Sequence, residues 1–576
     1  MFNLNHEEIP FSKANSFLKI QAFSASESGR VQICTSSQLI FEGHNSPYYG
    51  HDFYEVALFK DKKEVKYNAV EYQWQLDLIS PEGTASFTFA DAQTFVFEAT
   101  GLKVRFIPCK AFCWKSVEKN GDIVLLDFSG NCHHQHRAAT GTTLTCNESL
   151  TSTGYSSGEG TDKPYTLSFV GHEKTRGAIR FNRFGDKWDE FDMDFSASVA
   201  LIKKEIDEWM QKMPLVSEKY RETAELAWFI MWNCTAPAEG ELSRTSILMS
   251  KNYMNSVWAW DNCFNALSIA KADPELAWDQ LLLFFDKQAD NGMLPDSITS
   301  RFAKYGYVKP PIYGWTIMKL IEKLGVEYCL PYLEKVFLNV ESLTNWWFEY
   351  RDNDEDGMCQ YHHGNDSGWD NSTMFDQGYP TEGSDLAAHL TLQMEALSYM
   401  AELLGRHDES KYWKNRSNQQ LDTLLEQGVN NNRFFSPLDT LNTAEESQSL
   451  LNYIPIVLGN RLPKEILEAL VSDLSPGGPF LTDYGLATEA ITSPKYERDG
   501  YWRGPIWAPS TYLIFDGLVS AGELELAKVV AERFCDMCEK DPGMYENYDA
   551  LTGKGLRCPT YSWTAAVFIL LAEWLA

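Results

Sequence analysis

Basic residues are scarce in this chain: 50 Lys and Arg stand against 80 Asp and Glu, for a net charge of −30. A surface of that sign repels phosphate backbones and anionic headgroups, which argues against nucleic-acid and membrane partners. Nowhere do about 18 apolar residues run without interruption, the length a helix needs to cross a bilayer. The opening MFNLNHEEIPFSKANSF has no basic stretch followed by an apolar run and does not read as a secretory signal. The 12 cysteines are scattered without a framework, as in a soluble, cytoplasmic, reduced protein. Cys535 and Cys538 have redox or zinc spacing but lie in a helical run with no second pair. The run Cys132-His133-His134-Gln135-His136 has no matching ligands nearby and reads as a polar turn.

Aromatic residues are abundant, at 14% with 18 tryptophans. Sugar faces stack on such rings, and so do neighbouring rings in a core, so the composition favours carbohydrate only mildly. At 576 residues the chain exceeds the roughly 250–300 residues at which a single core stops growing, and two domains are expected. Residues 1–195 alternate with period two between Gly, Asn, Asp and Pro punctuation, the pattern of an antiparallel β-sandwich. Residues 196–213 have helical spacing and read as a linker helix. From 214 to 576 the texture changes to long helical segments, near 217–236, 261–273, 274–289, 311–325, 329–350, 383–405, 408–427, 443–459, 463–473, 504–521, 522–539 and 559–575.

The connections between these twelve segments alternate in length. Those after even-numbered segments are a few residues at most. Those after odd-numbered segments are long and hold nearly all the Trp, Tyr, Gly and Asp clusters. Helices alternating between an outer and an inner layer of a closed ring would send every long loop to one end, which is the (α/α)6 barrel with its active site at that end. The loop carrying Asp370 and the loop carrying Glu546 are three hairpins apart in a ring of six, so they face each other across the mouth.

Asp370 lies in Asn365-Asp366-Ser367-Gly368-Trp369-Asp370-Asn371-Ser372. A carboxylic acid that donates a proton near neutral pH needs its charged form disfavoured, and burial beside an indole does this by desolvation. The stretch resembles the E-S-G-W-D-N/F-S signature of glycoside hydrolase family 63 and its trehalase relatives, with Asp366 one methylene shorter than the leading glutamate. The resemblance extends over most of residues 250–576. It includes Trp258-Ala259-Trp260-Asp261, similar to an element that lines the sugar pocket. Tyr501-Trp502-Arg503-Gly504-Pro505-Ile506-Trp507 resembles W-R-G-P-x-W, and Glu546-Asn547-Tyr548-Asp549-Ala550-Leu551-Thr552-Gly553 resembles E-x-Y/F-D-x-x-T-G. The resemblance implies Asp370 as general acid and Glu546 as general base. Trp258, Trp260, Asp261, Lys309, Gly368, Trp369, Tyr501, Trp502, Arg503 and Trp507 would contact substrate. Asp261 either caps its helix alone or also accepts sugar hydroxyls. Arg503 offers paired donors to hydroxyls or neutralises buried acids. A base should sit in a wetter or better hydrogen-bonded setting than the acid.

Two departures bear on specificity. Lys309-Pro310-Pro311 stands where related hydrolases often have Gln-Pro-Pro, so Lys309 either favours an acidic aglycone such as glycerate or pairs with a nearby acid. Met374 stands near where relatives often carry an arginine. Separately, Asp352, Asp354 and Asp356 followed by Gly357 match the first half of a calcium loop, but His363 at position twelve excludes a full EF-hand; the stretch is either a turn or a structural calcium site. No cofactor is required. The expectation is an inverting exo-acting glycoside hydrolase, an α-glucosidase acting on a short oligosaccharide or glucosyl conjugate. A trehalase or a disaccharide phosphorylase of the same architecture and a non-catalytic glycan-binding protein are the alternatives.

Overall fold

The computed structural model describes residues 4, 8–21, 29–37, 51–109, 112–118, 120–127, 132–146, 166–183, 193–252, 254–438 and 447–576. The apolar–polar alternation of the first part becomes two 8-stranded sheets, every pair antiparallel. One sheet runs from Phe11–Ser12 through Leu18–Gln21, Gln32–Thr35, His51–Lys60, Lys103–Pro108 and Leu167–Gly171 to Thr142–Cys146, with Lys63–Val65 paired to His51–Lys60. The other runs from Phe112–Val117 through Ile123–Asp127, Cys132–Ala138, Lys174–Arg183, Thr94–Thr100, Gly83–Asp91 and Gln75–Ser80 to Asn68–Tyr72.

The sheets meet through phenylalanines on alternate positions. Phe97 of the second sheet packs edge-on against Phe106 and Phe169 of the first, with ring centroids 5.4 and 5.0 Å apart. Cys132–Ala138 is a strand within this packing, not the turn its polarity suggests. Its alternation turns Cys132, His134 and His136 inward, all buried, and Tyr54 of the facing sheet meets His134 Nδ1 at 2.9 Å. Burial lowers His136 to about 4, so it stays neutral. The distal residues of two expected strands, 38–43 and 128–130, lie outside the described residues.

Helix α1 (Phe195–Met210) is capped by Asp194, which accepts from the Ala197 N–H. It packs on the second sheet and on α2 (Arg221–Asn233). There Trp209 and Trp228 stack at 4.7 Å and each indole N–H donates to the other residue's carbonyl, at 2.8 and 2.9 Å. The helices that follow are α3 (Asp261–Ile269), α4 (Pro274–Phe285), α5 (Tyr313–Leu324), α6 (Val326–Tyr350), α7 (Ser384–Leu403) and α8 (His407–Gln427). After a 3-10 helix at Leu450–Arg461 come α9 (Lys464–Leu474), α10 (Ala508–Ala521), α11 (Leu524–Lys540) and α12 (Ser562–Trp574).

The elements α3, α5, α7, the 3-10 helix, α10 and α12 contact one another in that order, and α12 returns to α3. Each is backed by another helix: α4, α6, α8, α9, α11 and α2 respectively. The inner members are largely buried; α12, which reads SWTAAVFILLAEW, is buried from Ser562 through Ala572, whereas α5 keeps a polar side at Lys319, Glu322 and Lys323. The eighth helical segment is not an α-helix. Pro455 removes a backbone donor within it, and Gly459 breaks the run at φ 57° and ψ −127°. The expected residues 443–446 of that segment lie outside the described ones.

Among the described residues no helix is long and apolar enough to cross a membrane. Cys535 and Cys538 are free thiols buried in α11.

Candidate active site

Asp370 sits in the loop between α6 and α7, and Asp366 sets the course of that loop. The buried Asp366 carboxylate accepts from the backbone N–H of Val308, His362 and His363, each at 3.1 Å, and from Arg351 Nη1 at 3.0 Å. Four donors satisfy an acid that would otherwise be costly to bury. The short turn Gly364–Ser367 that follows is capped by His363, whose Nδ1 accepts from the Asn365 N–H at 3.0 Å. Gly368 closes it at φ 74°, where a Cβ would stand 2.6 Å from the Trp260 indole. Glycine is needed there for its conformation and for its lack of a side chain.

The loop before α10 clamps the residue after Asp370. Trp502 N–H donates to Asn371 Oδ1 at 2.9 Å, and Asn371 Nδ2 donates to the Gly500 carbonyl at 3.0 Å. Arg503 Nε donates to the Asn371 carbonyl at 2.7 Å and its Nη2 to Asp376 at 2.6 Å. Arg503 therefore neutralises an acid and steadies Asp370 through the neighbouring peptide. Trp502 packs against Trp369 at 4.6 Å and Trp507 at 3.9 Å, with Trp260 at 6.3 Å. These four indoles are buried and form the floor behind the acid loop, whereas Trp258 and Tyr501 are half-buried. A floor of this kind excludes water and makes the neighbouring carboxyls harder to ionise.

A largely buried set of charges faces Asp370. Lys309 Nζ lies 2.8 Å from Asp296 Oδ1 and donates to the Asn365 carbonyl at 2.5 Å. Of the two readings of this lysine, pairing with a nearby acid is the one the contacts display. Asp261 is the first residue of α3, but the capping position falls on Trp260, so Asp261 is not the helix cap. Its Oδ2 is buried without a hydrogen-bond partner. Burial lifts the Asp261 carboxyl well above the usual range, with Lys309 opposing and Asp296 and Asp370 reinforcing. Burial also raises Asp370, again opposed by Lys309 and reinforced by Asp296.

Glu546, in the loop between α11 and α12, is 6% exposed. Of the two settings expected for the base, wetter or better hydrogen-bonded than the acid, the fold does not provide the wetter one, but it does provide hydrogen bonds from Tyr501 and from the Cys558 backbone. Burial pushes its carboxyl up to about 7, while Arg557 and a hydrogen bond from Tyr501 pull the other way and the Asp370 charge adds to the rise. The Asp370 charge thus reaches Glu546 from a separate loop. Arg557 escaped the sequence reading. The hairpin Asn547–Tyr548 with Gly555–Leu556 pairs Asn547 with Leu556, which sets Arg557 opposite Glu546. Its guanidinium lies 4.9 Å from the Tyr501 ring centre and pairs with Asp499 at 2.8 Å. Tyr501, Met544, Arg557 and Thr560, all in the segments around Glu546, hold positive φ of 65°, 47°, 64° and 59°. Non-glycine residues held there store strain, which concentrates at functional sites. Asp549 pairs with Arg498 and accepts from the Leu551 N–H at 2.8 Å, bracing the same loop.

Asp352, Asp354 and Asp356 offer carboxylate oxygens within 4.8 Å of one another. Asp352 accepts from the Asp356 and Gly357 N–H groups, Asp354 from Gln360 Nε2 at 3.3 Å, and Asp356 from the Met358 N–H. The loop is thus held by its own hydrogen bonds.

Residues 253–564 match the family described as the mannosylglycerate hydrolase MGH1-like glycoside hydrolase domain. The chain is 23% identical to mannosylglycerate hydrolase MGH1 of Selaginella moellendorffii over 392 residues, which span 54% of this chain and 78% of that protein. In fold it resembles the GH63 mannosylglycerate hydrolase from Thermus thermophilus in complex with glucose, at a TM-score of 0.54 and 20% identity, covering 62% of this chain and 100% of the other. A bacterial glucoamylase complexed with acarbose is similar over 100% of this chain and 96% of its own, at a TM-score of 0.56 and 10% identity. The aligned family domain contains Asp370, Glu546 and the loops that position them, and the chain accordingly belongs to the MGH1-like glycoside hydrolases of glycoside hydrolase family 63.

Proposed function

We propose that the protein is an inverting, exo-acting α-glycosidase built on an (α/α)6 barrel, cleaving a glucosyl conjugate or short α-gluco-oligosaccharide. Asp370 gives its proton to the departing glycosidic oxygen, and Glu546 takes a proton from the water that attacks the anomeric carbon. The observation that carries this reading is the pair of carboxyls, Asp370 and Glu546, on separate loops and both raised by burial, with the Asp370 charge adding to the rise at Glu546. Asp261, with a buried oxygen free to accept, would hold a sugar hydroxyl. The Thermus relative's complex with glucose and the activity in the names of its relatives support a glucose-sized pocket and a glycosyl conjugate as substrate. The chemistry needs no cofactor, and a calcium ion at Asp352, Asp354 and Asp356 would only steady the acid loop. A phosphorylase would use phosphate as its nucleophile and leave Glu546 without work.

Single in-line displacement by water gives the inverted anomer. Proton NMR early in turnover of an α-glucoside should show β-glucose first. Asp370→Asn and Glu546→Gln should each lose about 10²–10⁴ in kcat, and a glucosyl fluoride, which needs less protonation, should rescue the first better than the second. Initial α-glucose, or release of a sugar 1-phosphate only with added phosphate, would overturn the assignment.

A further inference from the structure

The leaving group departs on the side from which Asp370 delivers its proton, so the residues bordering Asp370 toward solvent select the aglycone. A run of contacts leads outward from the Asp370 peptide. Gly364 packs on the Asp370 peptide, where a Cβ would come within 2.1 Å of the carbonyl oxygen, and its N–H donates to the Tyr379 hydroxyl at 3.0 Å. The Tyr379 ring stacks on His363 at 5.8 Å and 8°, His363 meets Tyr307 at 4.8 Å, and Lys304 Nζ lies 4.9 Å from the Tyr307 ring centre. Tyr379 and His363 are exposed, and Tyr307 and Lys304 are half-buried.

Two features make this rim a receptor for an anion. His363 Nδ1 accepts from the Asn365 N–H, so the neutral ring carries its proton on Nε2 and presents a donor there. The cations of the region also differ in how closely they are held. Lys309 lies 2.8 Å from Asp296, Arg351 3.0 Å from Asp366, and Arg503 and Lys495 2.6 and 3.0 Å from Asp376. Lys304 stands 3.6 Å from Asp296, an acid that Lys309 already holds.

From this geometry we infer that Lys304, with the Nε2–H of His363, is the specificity-determining contact for a carboxylate on the aglycone, and that Lys309 is not. The inference rests on Asp370 being the acid. In a chain of net charge −30, with Asp296, Asp370 and Asp376 close by, an anionic leaving group needs a cation at the rim.

The test compares two conjugates of one sugar and linkage, an α-glycosyl glycerate and an α-glycosyl glycerol, in the glucose and mannose series. In Lys304→Gln the ratio of kcat/KM for the glycerate to that for the glycerol conjugate should fall by about tenfold or more, through KM, and Lys304→Arg should keep most of it. Lys309→Gln should lower both conjugates together. A ratio that holds within about twofold in Lys304→Gln, or a wild type that prefers the glycerol conjugate, overturns the inference. The matching glycosyl fluorides separate the two proposals. Wild-type turnover of a fluoride that is lost in Glu546→Gln upholds the glycosidase reading whatever Lys304 does, and a wild type inactive on every one of these compounds overturns both.

Discussion

As the proposed base, Glu546 carries opposing demands in one side chain. A base must be ionised to take a proton, yet burial raises its carboxyl to about 7, and Arg557 is the main influence in the other direction. Removing a nearby cation makes a carboxyl ionise at higher pH. In Arg557→Gln the ascending limb of kcat/KM against pH should therefore move upward, with a heavier loss at pH 6 than at pH 8. The pH–rate profile of the two proteins checks this directly: an equal loss at every pH would remove Arg557 from any role in the ionisation of Glu546. The left-handed backbone of Arg557, at φ 64°, belongs to the same picture, since it is tolerated where the surrounding loop holds the residue in place.

At the scale of elements, the acid loop is a suspended segment held from both sides. Asp366 ties it to Val308 of the preceding loop and to Arg351 at the end of α6, while Asn371 ties it to the loop of Trp502. Asp366→Ala leaves Arg351 and three backbone N–H groups without their acceptor. Breaking a buried charge pair in this way costs about 3–5 kcal/mol. Thermal melting should show the loss of stability, and turnover of an unactivated glycoside should fall more than that of the matching glycosyl fluoride because Asp370 loses its placement. Unchanged melting and turnover would show that the loop holds its course without Asp366.

For the whole molecule, the first sheet is attached to the helical part by polar contacts as well as apolar ones. Lys251, buried, donates to the Lys13 carbonyl at 2.8 Å, and Lys19, also buried, donates to the carbonyls of Lys251 and Asn252 at 2.6 and 3.0 Å. Burial lowers Lys251 from 10.5 to about 7, with Cys234 opposing and Lys13 and Lys19 adding to the fall. Between those two values the unfolded chain binds more protons than the folded one, so this group makes stability rise with pH from about 7 to 10.5 and holds it lowest below 7. Lys251→Met removes the buried charge. Its melting temperature relative to wild type should be more favourable at pH 6.5 than at pH 9.5. A difference that does not change with pH would mean that Lys251 does not titrate across the junction.

Much of this was determined by the sequence alone, because it depends on local periodicity and side-chain chemistry. Period-two alternation in the first part and period 3.6 in the second separate the sheets from the helices; the long loop after α2 leads into Asp261 at the start of α3, and those after α4, α6, α9 and α11 carry Lys309, Asp370, Arg503 and Glu546. Where neighbours distant in sequence decide, the local pattern fails. Cys132–Ala138 is polar yet forms a core strand because the opposite sheet supplies Tyr54 to meet His134. The eighth helical segment keeps the apolar spacing of an α-helix, but Pro455 and Gly459 make it a 3-10 helix with a break. Trp260, Trp369, Trp502 and Trp507 come from three loops, and only their convergence makes them a floor. Lys309 is legible as a lysine where related hydrolases often have glutamine, but its pairing with Asp296, the looser hold on Lys304 and the facing of Arg557 to Glu546 exist only once hairpin register and loop packing bring those side chains together. Charges act through distance and burial, and both are properties of the tertiary structure.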